Sequence, residues 1–213
     1  MNYIDERKRV LAVAVKSLEK GLIHGTSGNV SMRIEGEEKV IITPSGLPYD
    51  TLTPDQLPIV DLYGKVIEGD LKPSSETPLH TAVYRARKNV NGIVHTHSMY
   101  ATIFSILGED IPVMMPPASP YAPVPVAKFE LPGSEELGQS VVNALGEDHL
   151  VVTMENHGLI SCCPTIERAL SGAEYVEETA QVAYLAKLIN CMNPLPKEAS
   201  DALRERALKG LAL

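Results

Sequence analysis

Apolar residues near the start of the chain fall at Val10, Val13, Ala14 and Leu18 among charged neighbours. That spacing predicts an amphipathic helix over residues 5–20, with Gly21 suited to stop it. The period then changes to alternation. Val30-Ser31-Met32-Arg33-Ile34 and Lys39-Val40-Ile41-Ile42-Thr43 read as strands, the second ended by the turn residues Pro44-Ser45-Gly46. Ile59–Leu62 and Lys65–Ile67, joined through Tyr63-Gly64, read as a hairpin. A helix start follows at Ser74-Ser75-Glu76-Thr77-Pro78, with Ser74 or Ser75 as the cap and Pro78 acceptable in the first turn.

Gly92–His97 is a short strand, and Met99–Leu107 is helical. Prolines crowd residues 111–132, which predicts an irregular excursion with one strand near Val124–Phe129. Ser134 opens a helix to about Leu145. Leu150–Met154 and Leu159–Ser161 are strands flanking a tight Asn156-His157-Gly158 turn. Thr165 to about Ile189 is the longest helix, and Lys197–Leu208 a terminal one. Helices at both ends and in the middle, with hairpin-linked strands between, imply an α/β fold with a mainly antiparallel sheet flanked by helices.

Composition narrows the function classes. At 213 residues and 44% apolar content the chain reads as one domain, residues 1–213, able to bury a sizeable core. A net charge of −8 argues against nonspecific nucleic-acid or acidic-membrane binding. Any anionic ligand must therefore be held by a local site. No signal-peptide core and no bilayer-length apolar run appear, so the expectation is a soluble, cytoplasmic protein. Three cysteines, two of them adjacent at Cys162 and Cys163, form no paired framework, which fits a reducing compartment.

Two of the six histidines, His95 and His97, stand at i and i+2 on a predicted strand and project to the same side. That spacing presents two imidazoles to one metal. Glu76 lies in a polar run beside a helix start, and His157 in a Gly-flanked turn after an apolar strand. Three imidazoles and a carboxylate are a sufficient set for Zn²⁺ or a similar divalent ion. Thr26-Ser27-Gly28-Asn29, Ser45-Gly46 and Ser74-Ser75 each lie at a loop or helix start, where free backbone N–H groups and hydroxyls can hold a phosphate. Ordinary turns use the same residues.

Five segments in order resemble the class II, metal-dependent aldolase family, which includes L-fuculose-1-phosphate aldolase, L-ribulose-5-phosphate 4-epimerase and the adducin head domain. They are Gly25–Ser31, Ile42–Gly46, Lys72–His80, Val94–Ser98 and Glu155–Gly158. The resemblance implies an α/β/α sandwich assembled as a homotetramer with interfacial active sites. It implies zinc on Glu76, His95, His97 and His157, with Mn²⁺ or Co²⁺ able to take the same ligands. It implies phosphate binding by Gly28, Asn29, Ser45, Gly46, Ser74 and Ser75, and a small sugar phosphate as substrate. Glu at position 76 matches the family's aldolases, where the epimerases carry Asp, and gives Glu76 the role of acid and base.

The same resemblance leaves one role open. The fuculose-phosphate aldolase pattern has a tyrosine just beyond the segment matching Ile111-Pro112-Val113, where this chain has Met114-Met115-Pro116-Pro117, and another near Lys209-Gly210-Leu211. Neither is present. Tyr121 is the candidate substitute, with a surface or packing tyrosine as the alternative. Rival readings are a 4-epimerase, a methylthioribulose-1-phosphate dehydratase or a sugar-acid phosphate decarboxylase on the same site, and a non-catalytic adducin-head-like module. A Schiff-base aldolase would need a lysine of depressed pKa, for which Lys128 is the one candidate in an apolar stretch.

Overall fold

The computed structural model describes residues 2–210, so Met1 and residues 211–213, including Leu211 of the Lys209-Gly210-Leu211 segment, lie outside the described residues. Eight strands form one sheet in the order β4-β3-β2-β1-β5-β8-β7-β6. They are β1 (Gly28–Arg33), β2 (Lys39–Ile42), β3 (Ile59–Asp61), β4 (Val66–Glu68), β5 (Gly92–Thr96), β6 (Val126–Ala127), β7 (Val151–Met154) and β8 (Gly158–Cys163). Every pairing is antiparallel except β6 with β7. The helices are α1 (Ile4–Glu19), α2 (Thr77–Ala86), α3 (Met99–Leu107), α4 (Glu135–Leu145), α5 (Ile166–Leu188) and α6 (Lys197–Gly210). No helix among the described residues is long and apolar enough to cross a membrane.

Strand alternation divides the core into two layers. On one face Val30, Met32, Ile41, Val94, Val151 and Leu159 pack with Val10 and Val13 of α1, Phe104 of α3 and Ala173 and Val176 of α5. On the other, Val40, Ile42, Ile93, Val152 and Ile160 pack with Leu79 and Val83 of α2 and Leu137 and Val141 of α4. Each such fully buried side chain contributes about 1.5–3 kcal/mol of transfer free energy. The result is the α/β/α sandwich that the resemblance implies.

The departures from expectation lie where proline or local hydrogen bonding governs. The strand expected near Val124–Phe129 shrinks to Val126–Ala127, because Pro123 and Pro125 offer no N–H to a ladder. Residues Tyr49–Thr51 and Pro54–Gln56 make 3₁₀ turns that the alternation does not signal. At α2 the cap falls on Glu76 rather than on Ser74 or Ser75, and the Glu76 side chain makes no capping bond. Ser74 still supports the start of the helix: its Oγ accepts from the Glu76 N–H and its carbonyl from the Thr77 hydroxyl.

One buried cation ties α1 to the far half of the sheet. Arg7 is 1% exposed, donates to the Asp55 and Leu57 carbonyls, and pairs with Glu68 at 2.6 Å. Glu68 is one-third exposed and can turn to water, so loss of Arg7 is felt mainly at the two carbonyls and the vacated volume. Arg7→Met is expected to destabilise the fold by about 3 kcal/mol, lowering Tm by roughly 6–12 °C. Calorimetry checks this, and an unchanged midpoint would contradict it.

Candidate metal centre and anion pocket

The order β1-β5-β8 brings the N-terminal end of β1, the C-terminal end of β5 and the N-terminal end of β8 to one edge. Two glycines allow this closeness. A Cβ on Gly28 would stand 2.7 Å from the His95 carbonyl oxygen, and one on Gly158 would stand 2.4 Å from that of Thr96. Asn156 takes the left-handed conformation, φ 55°, that closes the turn carrying His157. The N-terminus of α2 arrives at the same edge with Glu76.

Four side chains converge there. His95 Nε2 lies 3.0 Å from Glu76 Oε2 and 3.2 Å from His97 Nε2, while His157 Nε2 lies 3.3 Å from Glu76 Oε1. The ligand atoms of the three histidines all lie within 4.8 Å of one another. The His95 ring, wholly buried, donates from Nδ1 to the Leu159 carbonyl at 2.8 Å, so in its neutral form Nε2 carries the lone pair and faces the centre. Glu76 Oε1 and His157 Nδ1 are buried without a hydrogen-bond partner.

Electrostatics explain what such a cluster requires. Burial alone would raise the Glu76 carboxyl, but the charge and hydrogen bond of His95, then His157 and Asn29, hold it below the usual carboxylate range. Burial acts to lower His95, and the Glu76 charge outweighs it, keeping that ring above its usual value. His97 and His157 are pushed down to about 4, by burial first and then by the His95 charge. The Glu76 carboxylate therefore stands among imidazole nitrogens at a point that favours positive charge. A divalent cation displaces a proton from such a place, so the donor set fits a metal.

The anion-type loops meet beside this cluster. The Pro44 and Pro73 segments bridge through Ser45 N to the Lys72 carbonyl and Ser74 N to the Thr43 carbonyl. Gly28, Asn29, Ser45, Gly46, Ser74 and Ser75 line one open pocket of about 290 Å³ together with Glu76, His97 and His157. None of its lining residues is Lys, Arg or Tyr. A wider hollow of about 650 Å³ between Arg33, Tyr63 and Lys88 holds no comparable donor cluster.

Two candidates are not brought to this site. Tyr121, 6% exposed, packs on the α5 face of the sheet beside Gly172, on the opposite side from His95. Burial and then Cys163 push its phenol up to about 12. Within its own chain it is a packing tyrosine. Lys128 is exposed just past β6 and does not line the pocket. Sequence reasoning passed over His80, wholly buried between Asn29 and Ser31. Its signal is the i, i+4, i+8 series Glu76, His80, Tyr84 on the inward side of α2.

The family model for the class II aldolase and adducin N-terminal domain matches residues 8–184. The chain belongs to this family. It is 36% identical over 202 residues to 5-deoxy-D-ribulose 1-phosphate aldolase of Bacillus thuringiensis serovar kurstaki, covering 94% of each chain. To L-ribulose-5-phosphate 4-epimerase UlaF of Salmonella paratyphi C it is 34% identical over 188 residues, covering 82% of each. A solved structure of L-fuculose 1-phosphate aldolase superposes with a TM-score of 0.90 at 29% identity over 95% of both chains. The chain is an enzyme of the class II aldolase type, a lyase. This family is metal-dependent, in keeping with the histidine cluster.

The ring shifts carry a sign for stability. His97, His157 and His80, at about 4, 4 and 3 in the folded chain, titrate near 6.5 when unfolded. Between these values only the unfolded chain binds the proton, so their contribution is full above about pH 6.5 and is lost as pH falls toward about 4. His95, raised, works in the opposite direction and is outnumbered. The Tm of metal-stripped protein is expected to fall steadily on acidification from about pH 6.5 to 4.5. A flat Tm measured in chelator across that window would refute the assignment.

Proposed function

We propose that this class II aldolase-family enzyme cleaves a ketose 1-phosphate, such as L-fuculose 1-phosphate or a 5-deoxypentulose 1-phosphate, to dihydroxyacetone phosphate and a short aldehyde. The observation that carries the reading is the single pocket in which the neutral anion-type loops adjoin Glu76 and the histidine cluster. Glu, rather than the Asp of the family's epimerases, stands at position 76. Its extra methylene gives the carboxylate the reach to exchange a proton with a substrate carbon. Both aldolases named above act, by name, on a sugar carrying a 1-phosphate.

Glu76, His95, His97 and His157 would hold the metal, for which we propose Zn²⁺; Mn²⁺ and Co²⁺ suit the same donors. When bound, such a cation supplies Lewis-acid stabilisation of the negative charge that develops on substrate oxygens. Gly28, Asn29, Ser45, Gly46, Ser74 and Ser75 would orient the phosphate, helped by the positive end of α2. As the C3–C4 bond breaks, its electron pair passes to C3 and the proton of the C4 hydroxyl must leave. Glu76 delivers a proton to C3 in cleavage and removes it in synthesis. While Glu76 is paired with His95 its basicity is low, so release from that pairing is what makes it a base.

No tyrosine lines the described pocket to accept the C4 hydroxyl proton. A homotetramer with active sites at subunit interfaces would supply that group from a neighbour. The exposed apolar residues Met99, Ile106 and Leu107 on α3 are surface that an interface would cover. A 4-epimerase, dehydratase or decarboxylase would use the same metal cluster and differ in product. The non-catalytic adducin-type module has no need of four converging ligands.

Dihydroxyacetone phosphate release from several ketose 1-phosphates, with and without chelator, tests the reading. Release is expected, abolished by chelation and restored by Zn²⁺. Glu76→Gln should lower kcat by at least about 100-fold. C4 epimerisation without dihydroxyacetone phosphate would place the chain with the epimerases. Activity that survives chelation and is trapped by borohydride would replace metal chemistry with a Schiff base.

A further inference from the structure

Beneath the pocket floor, Asn29 and Glu76 are joined by a hydrogen-bond chain to His80, Ser31 and Tyr84, which the proposed reaction does not use. Asn29 Nδ2 lies 2.8 Å from Glu76 Oε2, and Asn29 Oδ1 lies 2.5 Å from His80 Nε2. His80 Nδ1 lies 2.6 Å from Ser31 Oγ, which lies 2.8 Å from the Tyr84 hydroxyl. Ser31, His80 and Tyr84 are each 0% exposed, and Asn29 is 4% exposed. We propose that His80 is a positioning residue that locks the Asn29 amide with its NH₂ group facing Glu76.

Donor accounting fixes the orientation of Asn29 and the hydrogen on His80 Nε2. A carboxylate oxygen accepts only, so Asn29 must turn its NH₂ to Glu76 and its Oδ1 to His80. Oδ1 also accepts only, so His80 Nε2 carries the hydrogen. In the neutral ring Nδ1 then accepts from the Ser31 hydroxyl, whose own lone pair accepts from Tyr84. The ring is wholly buried between an amide and a hydroxyl, with no carboxylate on either nitrogen, an environment that favours the neutral form. Burial raises the Tyr84 phenol, which keeps its O–H a donor. The donors all point the same way, from Tyr84 toward Glu76.

The Ser31-His80-Asn29 sequence of contacts has the residue types of a nucleophilic triad, but no reacting atom reaches it. Ser31 is sealed in the core and does not line the pocket. Its consequence is geometric. An Asn amide inverts by a half-turn that exchanges O for NH₂, and here inversion would set two acceptors face to face at Glu76 and two donors at His80. With Asn29 fixed, Glu76 Oε2 is held between Asn29 and His95. Oε1 is then the oxygen left without a hydrogen-bond partner, directed at His157. Because Asn29 also lines the pocket, its orientation is retained through His80 even when Glu76 moves.

The role of Glu76 in the working site belongs to the proposed function, but the ring tautomer tests His80 independently of any activity. In ¹⁵N NMR of the natural protein, the imidazole resonances lost in His80→Gln identify this ring. They are expected to show a protonated Nε2 and a bare Nδ1 from about pH 8 down to about pH 5. His80→Leu removes the donor, whereas His80→Gln returns an N–H toward Asn29. Relative to the natural protein, kcat/KM for the substrate cleaved best is expected to fall about 10–100-fold in His80→Leu. In His80→Gln it is expected to recover to within a few-fold, with both variants assayed well below their Tm. An Nδ1–H tautomer or an imidazolium at neutral pH would overturn the proposal. So would a folded His80→Leu with unchanged kcat/KM, or a His80→Gln no better than His80→Leu. Should His80→Leu fail to fold, or no substrate be found, the tautomer of the natural protein still decides.

Discussion

A carboxylate 6% exposed to solvent is the constraint around which this end of the molecule is organised. An ionised Glu76 cannot stand in a low-dielectric interior without charge and hydrogen-bond partners. Each partner comes from a different element: Asn29 from β1, His95 from β5, His157 from the turn into β8. The order β1-β5-β8 is what makes them neighbours, and glycine at 28 and 158 is what lets those strands and rings approach. The cap position of α2 gives up its own side-chain bond so that its carboxylate can turn into the site.

The same alternation that sorts the core sorts the chemistry. Asn29 and Ser31 on β1, and Ile93 and His95 on β5, face α2 and α4, while Val30 and Val94 between them face α1, α3 and α5. On the α2 side the layer is polar at the end nearest the pocket and apolar farther in. Glu76, His80 and Tyr84 meet Asn29 and Ser31, and Leu79 and Val83 meet Ile42 and Ile93. Tyr121 falls on the other side of this divide, so its distance along the chain from the histidines says nothing about its access to them.

Much of this could be read in the sequence because it is periodic or local. The helices keep their expected spans to within a residue or two, and the i, i+2 spacing of His95 and His97 directs both rings to one side. The order of the strands is not local, and neither is the meeting of three separate loops in one pocket. The resemblance to a known family implies that these loops act together, and they line one pocket. The parallel β6–β7 pairing depends on how a proline-rich segment returns to the sheet edge, which no period encodes. His80 was legible in principle through its helical spacing to Glu76. It carries no mark separating a ring that touches ligand from one that holds a neighbour, since that difference lies in what surrounds it.

The pocket's lack of Lys and Arg has a consequence for how an anion could be held there. The chain as a whole is negative by eight charges, so long-range attraction does not draw an anion toward it. What remains is short-range: neutral N–H and O–H donors on three loops, the N-terminal end of α2 with roughly half a unit of positive charge, and whatever cation the histidines hold. Neutral donors act only at hydrogen-bond distance and in fixed directions. An anion bound in this way is selected by the shape of its oxygens more than by its charge, and its affinity varies little with salt. The rigid pairing of Ser45 with Lys72 and of Ser74 with Thr43 supplies that fixed geometry. Under the proposed function, selection at the phosphate end would rest on the hydroxyls and remaining N–H groups that these paired loops hold in place, and discrimination among sugars would fall to the rest of the pocket.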